Sequence, residues 1–144
     1  MPLTATPGLS ASCRIDPEPL RVRHVREWAR KTLPGWGLTE HADLVELIVS
    51  ELVTNAILHG SGPVEICLTC ASGDLQIDVR DHGTSMPALH HPTADDMTGR
   101  GLALVDALTT ACGGTWGVTA SGSGRPGKNV YAIVPLPSPQ ATAS

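Results

Sequence analysis

Apolar positions change spacing several times along the chain, and each change marks an element. Leu9, Ala11, Cys13 and Ile15 alternate with Ser10, Ser12 and Arg14, the period of two expected of a strand. Leu20, Val22, Val25, Trp28 and Ala29 then recur at helical spacing. Asp16-Pro17 reads as the start of that helix, a capping carboxylate with proline in the first turn, and Pro34-Gly35 as its stop. A second helix runs from a Thr39 cap to about His59, with Leu47, Ile48, Leu52, Val53, Ala56 and Ile57 directed to a core and Gly60-Ser-Gly-Pro63 ending it. Strands near residues 64–69 and 75–80 flank Ala71-Ser-Gly-Asp74, a hairpin connection. A third helix is expected from Leu102 to about Ala111, followed by strands near Thr115–Ala120 and Lys128–Val134. This order predicts an α+β fold: a two-layer sandwich with a mixed, largely antiparallel sheet covered on one face by helices. Residues 1–8 read as a flexible N-terminus, 9–136 as the domain and 137–144 as a disordered tail.

Composition narrows the class. The 144 residues are 41% hydrophobic and 17% charged, which suits one globular domain and argues against disorder. No apolar run approaches the roughly 18 residues of a membrane span, and no signal-peptide pattern opens the chain, so a cytoplasmic protein is expected. The net charge of −4 opposes nucleic-acid binding, and Arg21, Arg23, Arg26 and Arg30 in the first helix read as a solvated face. Cys67 and Cys70 form a Cys-x-x-Cys, but on a strand this spacing sends the two thiols to opposite faces, so free thiols are expected rather than a metal or redox pair.

The second helix carries the first candidate chemistry. Glu51, Asn55 and His59 are four residues apart and share one face of an otherwise apolar segment. Asn55 offers a neutral oxygen to a hard cation such as magnesium, and Glu51, one turn earlier, is placed to accept a proton from a hydroxyl. Asp81 closes a strand at the mouth of the sheet. An ionised carboxylate only accepts hydrogen bonds, so it suits adenine's exocyclic amine and finds no donor at guanine's carbonyl. Gly83 lets the chain pass close to a base. Gly99-Arg-Gly101 directly precedes the third helix, where two glycines allow a tight fold over phosphates and free helix N–H groups attract anions. Arg100 adds a phosphate contact or pins the loop.

One motif is misleading. Gly122-Ser-Gly-Arg-Pro-Gly-Lys128 has the spacing of a phosphate-binding P-loop. A P-loop needs a helix after it, and Asn129-Val-Tyr-Ala-Ile-Val134 is strand-like, so a hairpin loop is the better reading.

Three segments together resemble the GHKL (histidine-kinase-like) ATPase superfamily, over roughly residues 9–136. Ser50-Glu-Leu-Val-Thr-Asn-Ala-Ile-Leu-His59 is similar to its N box, Val79-Arg-Asp-His-Gly83 to its G1 box, and Thr98-Gly-Arg-Gly-Leu-Ala-Leu-Val105 to its G2 box. Within the superfamily the chain most resembles the small anti-sigma-factor serine/threonine kinases. The resemblance implies the Bergerat ATP-binding fold, with ATP and Mg2+ as cofactors. It implies Glu51 as catalytic base, Asn55 as metal ligand, and Asp81, Gly83, Thr98, Gly99, Arg100, Gly101, Leu102 and Asn129 as nucleotide contacts. Residues 84–98, with His90 and His91, would form a lid over the nucleotide. The chain departs from the family pattern at Ser85, where a second G1 glycine is common, and at Asn129, where a threonine usually stands near the adenine. The implied activity is transfer of the ATP γ-phosphate to a Ser or Thr of an anti-anti-sigma (STAS) protein. A sigma factor would be a second client, and homodimerisation is implied. The alternative is an ATP-binding regulatory switch with little or no catalysis.

Overall fold

A computed structural model describes residues 8–83, 97–120 and 127–136, with the backbone alone described at 97–100. The elements are β1 (Leu9–Ile15), α1 (Arg21–Thr32), α2 (Ala42–His59), β2 (Val64–Ala71), β3 (Asp74–Asp81), α3 (Met97–Cys112), β4 (Thr115–Ala120) and β5 (Lys128–Pro135). The strands form one sheet in the order β1-β2-β3-β5-β4, and every neighbouring pair is antiparallel. The expected α+β class is the observed one.

Alternation builds the sheet's two faces. Val64, Ile66 and Leu68 of β2, Leu75, Ile77 and Val79 of β3, and Val130, Ala132 and Val134 of β5 are all buried on the helix-covered side. Their neighbours one residue along face the other way and remain half-exposed. The tight β2–β3 connection is held by Ser72 and Gly73 at φ +56° and +82°, the positive-φ pair that matches strand twist in a two-residue hairpin. Against this sheet α2 packs between α1 and α3. It contributes Val45, Ile48, Val49, Leu52, Val53 and Ala56 to the core. The arginines of α1 are solvent-facing and also tie the helices together: Arg26 Nε donates to Glu46 Oε2 at 3.0 Å and Arg30 Nε to Glu46 Oε1 at 2.7 Å.

Several expected boundaries move. The first helix starts at Arg21, not at Asp16-Pro17, because Pro19 disfavours helical geometry at Glu18 and resets the start beyond it. Leu20 consequently stands outside the helix and is 84% exposed. Thr39 caps nothing; it opens a short 3-10 turn, and α2 begins at Ala42 without a side-chain cap. Leu47 is 39% exposed instead of buried, since it lies on the rim of the α2 stripe. The third helix begins at Met97, five residues before the expected Leu102. Its first four residues are the ones whose N–H groups have no intrahelical acceptor, so glycine costs least there.

The four cysteines are free and half-buried. Cys70 packs on the core, while Cys67 lines the opposite face of the sheet, as the strand period requires. Among the described residues no helix is long and apolar enough to cross a membrane, and no cluster of three His, Cys, Asp or Glu forms. The N-terminal segment 1–7, the expected lid with Ser85, His90 and His91, the loop 121–126 and the tail 137–144 lie outside the described residues.

Candidate functional site

α2 is the spine of the site. Its polar stripe runs from half-buried Glu51 through buried Asn55 to exposed His59. Near one end, α2 lies against α3 so closely that a Cβ on Gly101 would stand 3.0 Å from Glu51 Oε1. Here the backbone of α3, just past its first turn, meets the Glu51 carboxylate. At the other end, Gly60 follows the last turn of α2 and rests on the carboxylate of Asp81. A Cβ at Gly60 would be 2.4 Å from Asp81 Cγ, and one at Gly83 would be 3.1 Å from Asp81 Oδ1. The chain between Glu51 and Gly60 rises about 13 Å at the helical pitch, the scale of an extended nucleoside triphosphate. Thus the residues of the three sequence segments do converge, in two groups along one helix.

Asn55 lies between them. It is 3% exposed, and neither its amide oxygen nor its amide nitrogen has a hydrogen-bond partner among the described residues. An unsatisfied buried amide costs about 1–3 kcal/mol and needs an explanation. A magnesium ion with its waters supplies one: a cation for the oxygen, and water or phosphate acceptors for the nitrogen. The residues present therefore fit the implied metal-nucleotide group. His82 Nε2 is likewise buried without a partner among the described residues, and the His82 backbone N–H donates to the Ser61 carbonyl at 2.9 Å, which joins the G1-like turn to the loop after α2.

Asp81 is 1% exposed, and its Oδ1 accepts the Gly83 N–H at 2.7 Å. It is not alone. Lys128, also 1% exposed, stands opposite it in the β3–β5 register, with Nζ 3.2 Å from Oδ1 and 3.0 Å from Oδ2. The contact to Oδ2 is an ion pair, and since a carboxylate oxygen has two lone pairs, at least one on Oδ2 remains for a further donor. In the sequence Asp81 stands as a lone acceptor; the structure sets a donor beside it.

Two expected contacts lie apart from Asp81 and Asn55. Asn129 is not in this site: strand alternation sends it to the opposite sheet face, where Nδ2 donates to Asp78 Oδ1 at 2.8 Å. There it lines a groove of about 510 Å³ with Ser12, Glu65, Cys67 and Arg80. Leu102 is 4% exposed within the hydrophobic core, so its side chain packs and does not face a ligand. Gly99, Arg100 and Thr98 lie in the first turn of α3, inside the helix and not before it. Their side chains fall outside the described residues. Lys128 and Gly60 are the residues that sequence reasoning missed. Counting back by twos from buried Val134, Ala132 and Val130 reaches Lys128, so the strand pattern did hold the signal for the lysine. Lys128 opens a strand, which also disposes of the P-loop match.

Comparison with known proteins gives the family. Residues 15–125 match the family model described as histidine kinase-like ATPase domain. The chain is 32% identical over 109 residues to a sensor histidine kinase component, HK1, of Mycobacterium tuberculosis H37Rv, covering 67% of this chain and 64% of that protein. A probable sensor histidine kinase of M. tuberculosis CDC 1551 is also 32% identical over 109 residues, a match that spans 67% of this chain and 28% of that protein. The chain therefore spans less than two thirds of either relative. Among solved structures, a mycobacterial sensor histidine kinase, MprB, superposes with a TM-score of 0.53 at 16% identity, covering 88% of this chain and all of that one. That likeness is one of fold.

Proposed function

The chain belongs to the histidine kinase-like ATPase superfamily, and from that premise we propose that it binds Mg-ATP along α2 and transfers the γ-phosphate to a protein hydroxyl. The acceptor in this reading is a Ser or Thr of a STAS-type anti-anti-sigma partner, with a sigma factor as second client and a homodimer as the working form. The observation that carries the reading is Asn55, buried with both amide atoms unpartnered on the helix face that also holds Glu51.

The chain's own groups divide the work. Asp81 Oδ2, which keeps a lone pair beside the Lys128 ion pair, accepts from the adenine amine, and the glycines at 60 and 83 keep the approach to it narrow. Asn55 Oδ1 would hold the magnesium, which when bound neutralises phosphate charge. The unpaired N–H groups at the start of α3 attract the phosphates, and Gly101 keeps that helix close to α2. Glu51 takes the proton of the acceptor hydroxyl as its oxygen bonds to the γ-phosphorus; the bond to the β-phosphate oxygen breaks and ADP leaves. Holding the reactants in line accounts for much of such a reaction's acceleration.

A second reading is favoured by the relatives, two sensor histidine kinases: the same site would phosphorylate a histidine carried elsewhere. Incubation with γ-labelled Mg-ATP and a panel of STAS proteins separates the two. Acid-stable label on a STAS protein, lost in Glu51→Ala while ATP binding persists, supports the hydroxyl kinase. Acid-labile label on a histidine-bearing partner replaces it with the second reading. Bound ATP with no labelled partner supports a non-catalytic switch.

A further inference from the structure

The Asp81–Lys128 pair is unusual for a site that has only to accept a hydrogen bond. A buried ammonium is costly, and it has three N–H donors to satisfy. Among the described residues the only side-chain hydrogen bond of Lys128 is to Asp81 Oδ1. Its remaining contact, to Oδ2 at 3.0 Å, lacks hydrogen-bond geometry. The ammonium therefore retains donor capacity. Cross-strand register fixes where it points: Asp81 and Lys128 are directly opposite, on the same inward face. Both neighbours packed against the carboxylate are glycines, Gly60 and Gly83, so it is backbone and no side chain that covers it, and Oδ2 is buried with no hydrogen-bond partner among the described residues.

An acceptor and a donor side by side match one edge of adenine, where the exocyclic amine donates and ring N1 accepts. Asp81 alone meets half of that edge. We propose that Lys128 is a base-reading residue: its ammonium donates to adenine N1 while Asp81 Oδ2 accepts from the exocyclic amine. The pair also explains why a lysine is tolerated at a fully buried strand position. Its charge is balanced by Asp81, and its spare donor is used when the base is in place. This inference rests on the nucleotide-binding reading above, and it replaces Asn129, which faces away, as the β5 contact to the base.

Nucleotide analogues test it on the unaltered protein. Dissociation constants for ATP, 1-deaza-ATP and 7-deaza-ATP are measured by calorimetry in the presence of Mg2+. Replacing N1 by C–H leaves the ammonium unsatisfied, so 1-deaza-ATP is expected to bind at least about tenfold more weakly than ATP. 7-Deaza-ATP, which keeps the N1 edge, is expected within about threefold of ATP. In Lys128→Met, folded by circular dichroism, ATP and 1-deaza-ATP should agree within about threefold. Equal binding of ATP and 1-deaza-ATP by the natural protein would overturn the role of Lys128 and leave nucleotide binding standing. So would the same penalty in the lysine-free variant. Absence of any ATP binding would remove both ideas.

Discussion

Charge removal at the Asp81–Lys128 pair has a calculable effect on stability. Both side chains are 1% exposed, with Nζ 3.0 Å from one carboxylate oxygen. Asp81→Asn preserves shape and still accepts the Gly83 N–H, but it strands an ammonium in the interior. Breaking a buried pair from one side costs about 3–5 kcal/mol. Lys128→Met strands the carboxylate and should cost about the same. Replacing both at once leaves an amide and a thioether of similar volume, and the expected cost is only about 0–2 kcal/mol, because neutral substitutes for a buried pair are often tolerated. The coupling energy should therefore reach about 4 kcal/mol or more. Equilibrium urea unfolding, followed by tryptophan fluorescence and circular dichroism at pH 7 without nucleotide, reads this directly. With a slope of about 1.5–2 kcal/mol per molar, each single variant loses about 2 M in midpoint and the double variant less than about 1 M. Additive single effects, or single variants within about 1 kcal/mol of the natural protein, would refute a desolvated pair. Lost ATP binding in Asp81→Asn has to be separated from lost stability, since that variant is expected to unfold more easily.

Three other perturbations follow from the same geometry. Gly60→Ala sets a methyl group 2.4 Å from Asp81 Cγ and 2.5 Å from the Ala56 carbonyl oxygen; it should cost about 2–4 kcal/mol in urea unfolding, against less than about 0.5 kcal/mol for Gly35→Ala, which meets no atom within 4 Å. Asn55→Leu removes an unpartnered buried amide, so the nucleotide-free protein should gain about 1 kcal/mol while Mg-ATP binding is lost; a destabilised variant that still binds would contradict the metal-ligand role. Glu46 is held below its ordinary value of 4.5 by hydrogen bonds from Arg30 and then Arg26. A lowered folded-state value means that the stabilisation is present above pH 4.5 and is lost as pH falls through the lower one. The advantage of the natural protein over Glu46→Gln should thus shrink on acidification below 4.5, and a pH-independent difference in thermal midpoint would count against it.

Strand and helix identities were legible because burial imposes a period. The alternation of Leu9–Ile15 and the 3.6-residue spacing of α2 both point at one sheet face covered by helices, and the structure has that arrangement. Boundaries were less legible where local signals competed. Asp16-Pro17 looked like a helix start, but Pro19 two residues later overrode it. The three glycine- and acid-bearing segments were readable as one site only jointly, and the structure joins them through α2 at Gly101 and Gly60.

By itself the chain's residue order determined the fold class, the family and the helix that bears Glu51 and Asn55, since these depend on periodicity and on spacing within single elements. Which β5 residue meets Asp81 was decided only by tertiary pairing. A shift of one residue in strand register exchanges Lys128 for Asn129 and turns the side chain to the opposite face. That choice is made by the whole β3–β5 ladder and the core behind it. Alternation back from Val130 puts Lys128 on the inward face, but only the ladder puts Asp81 opposite it.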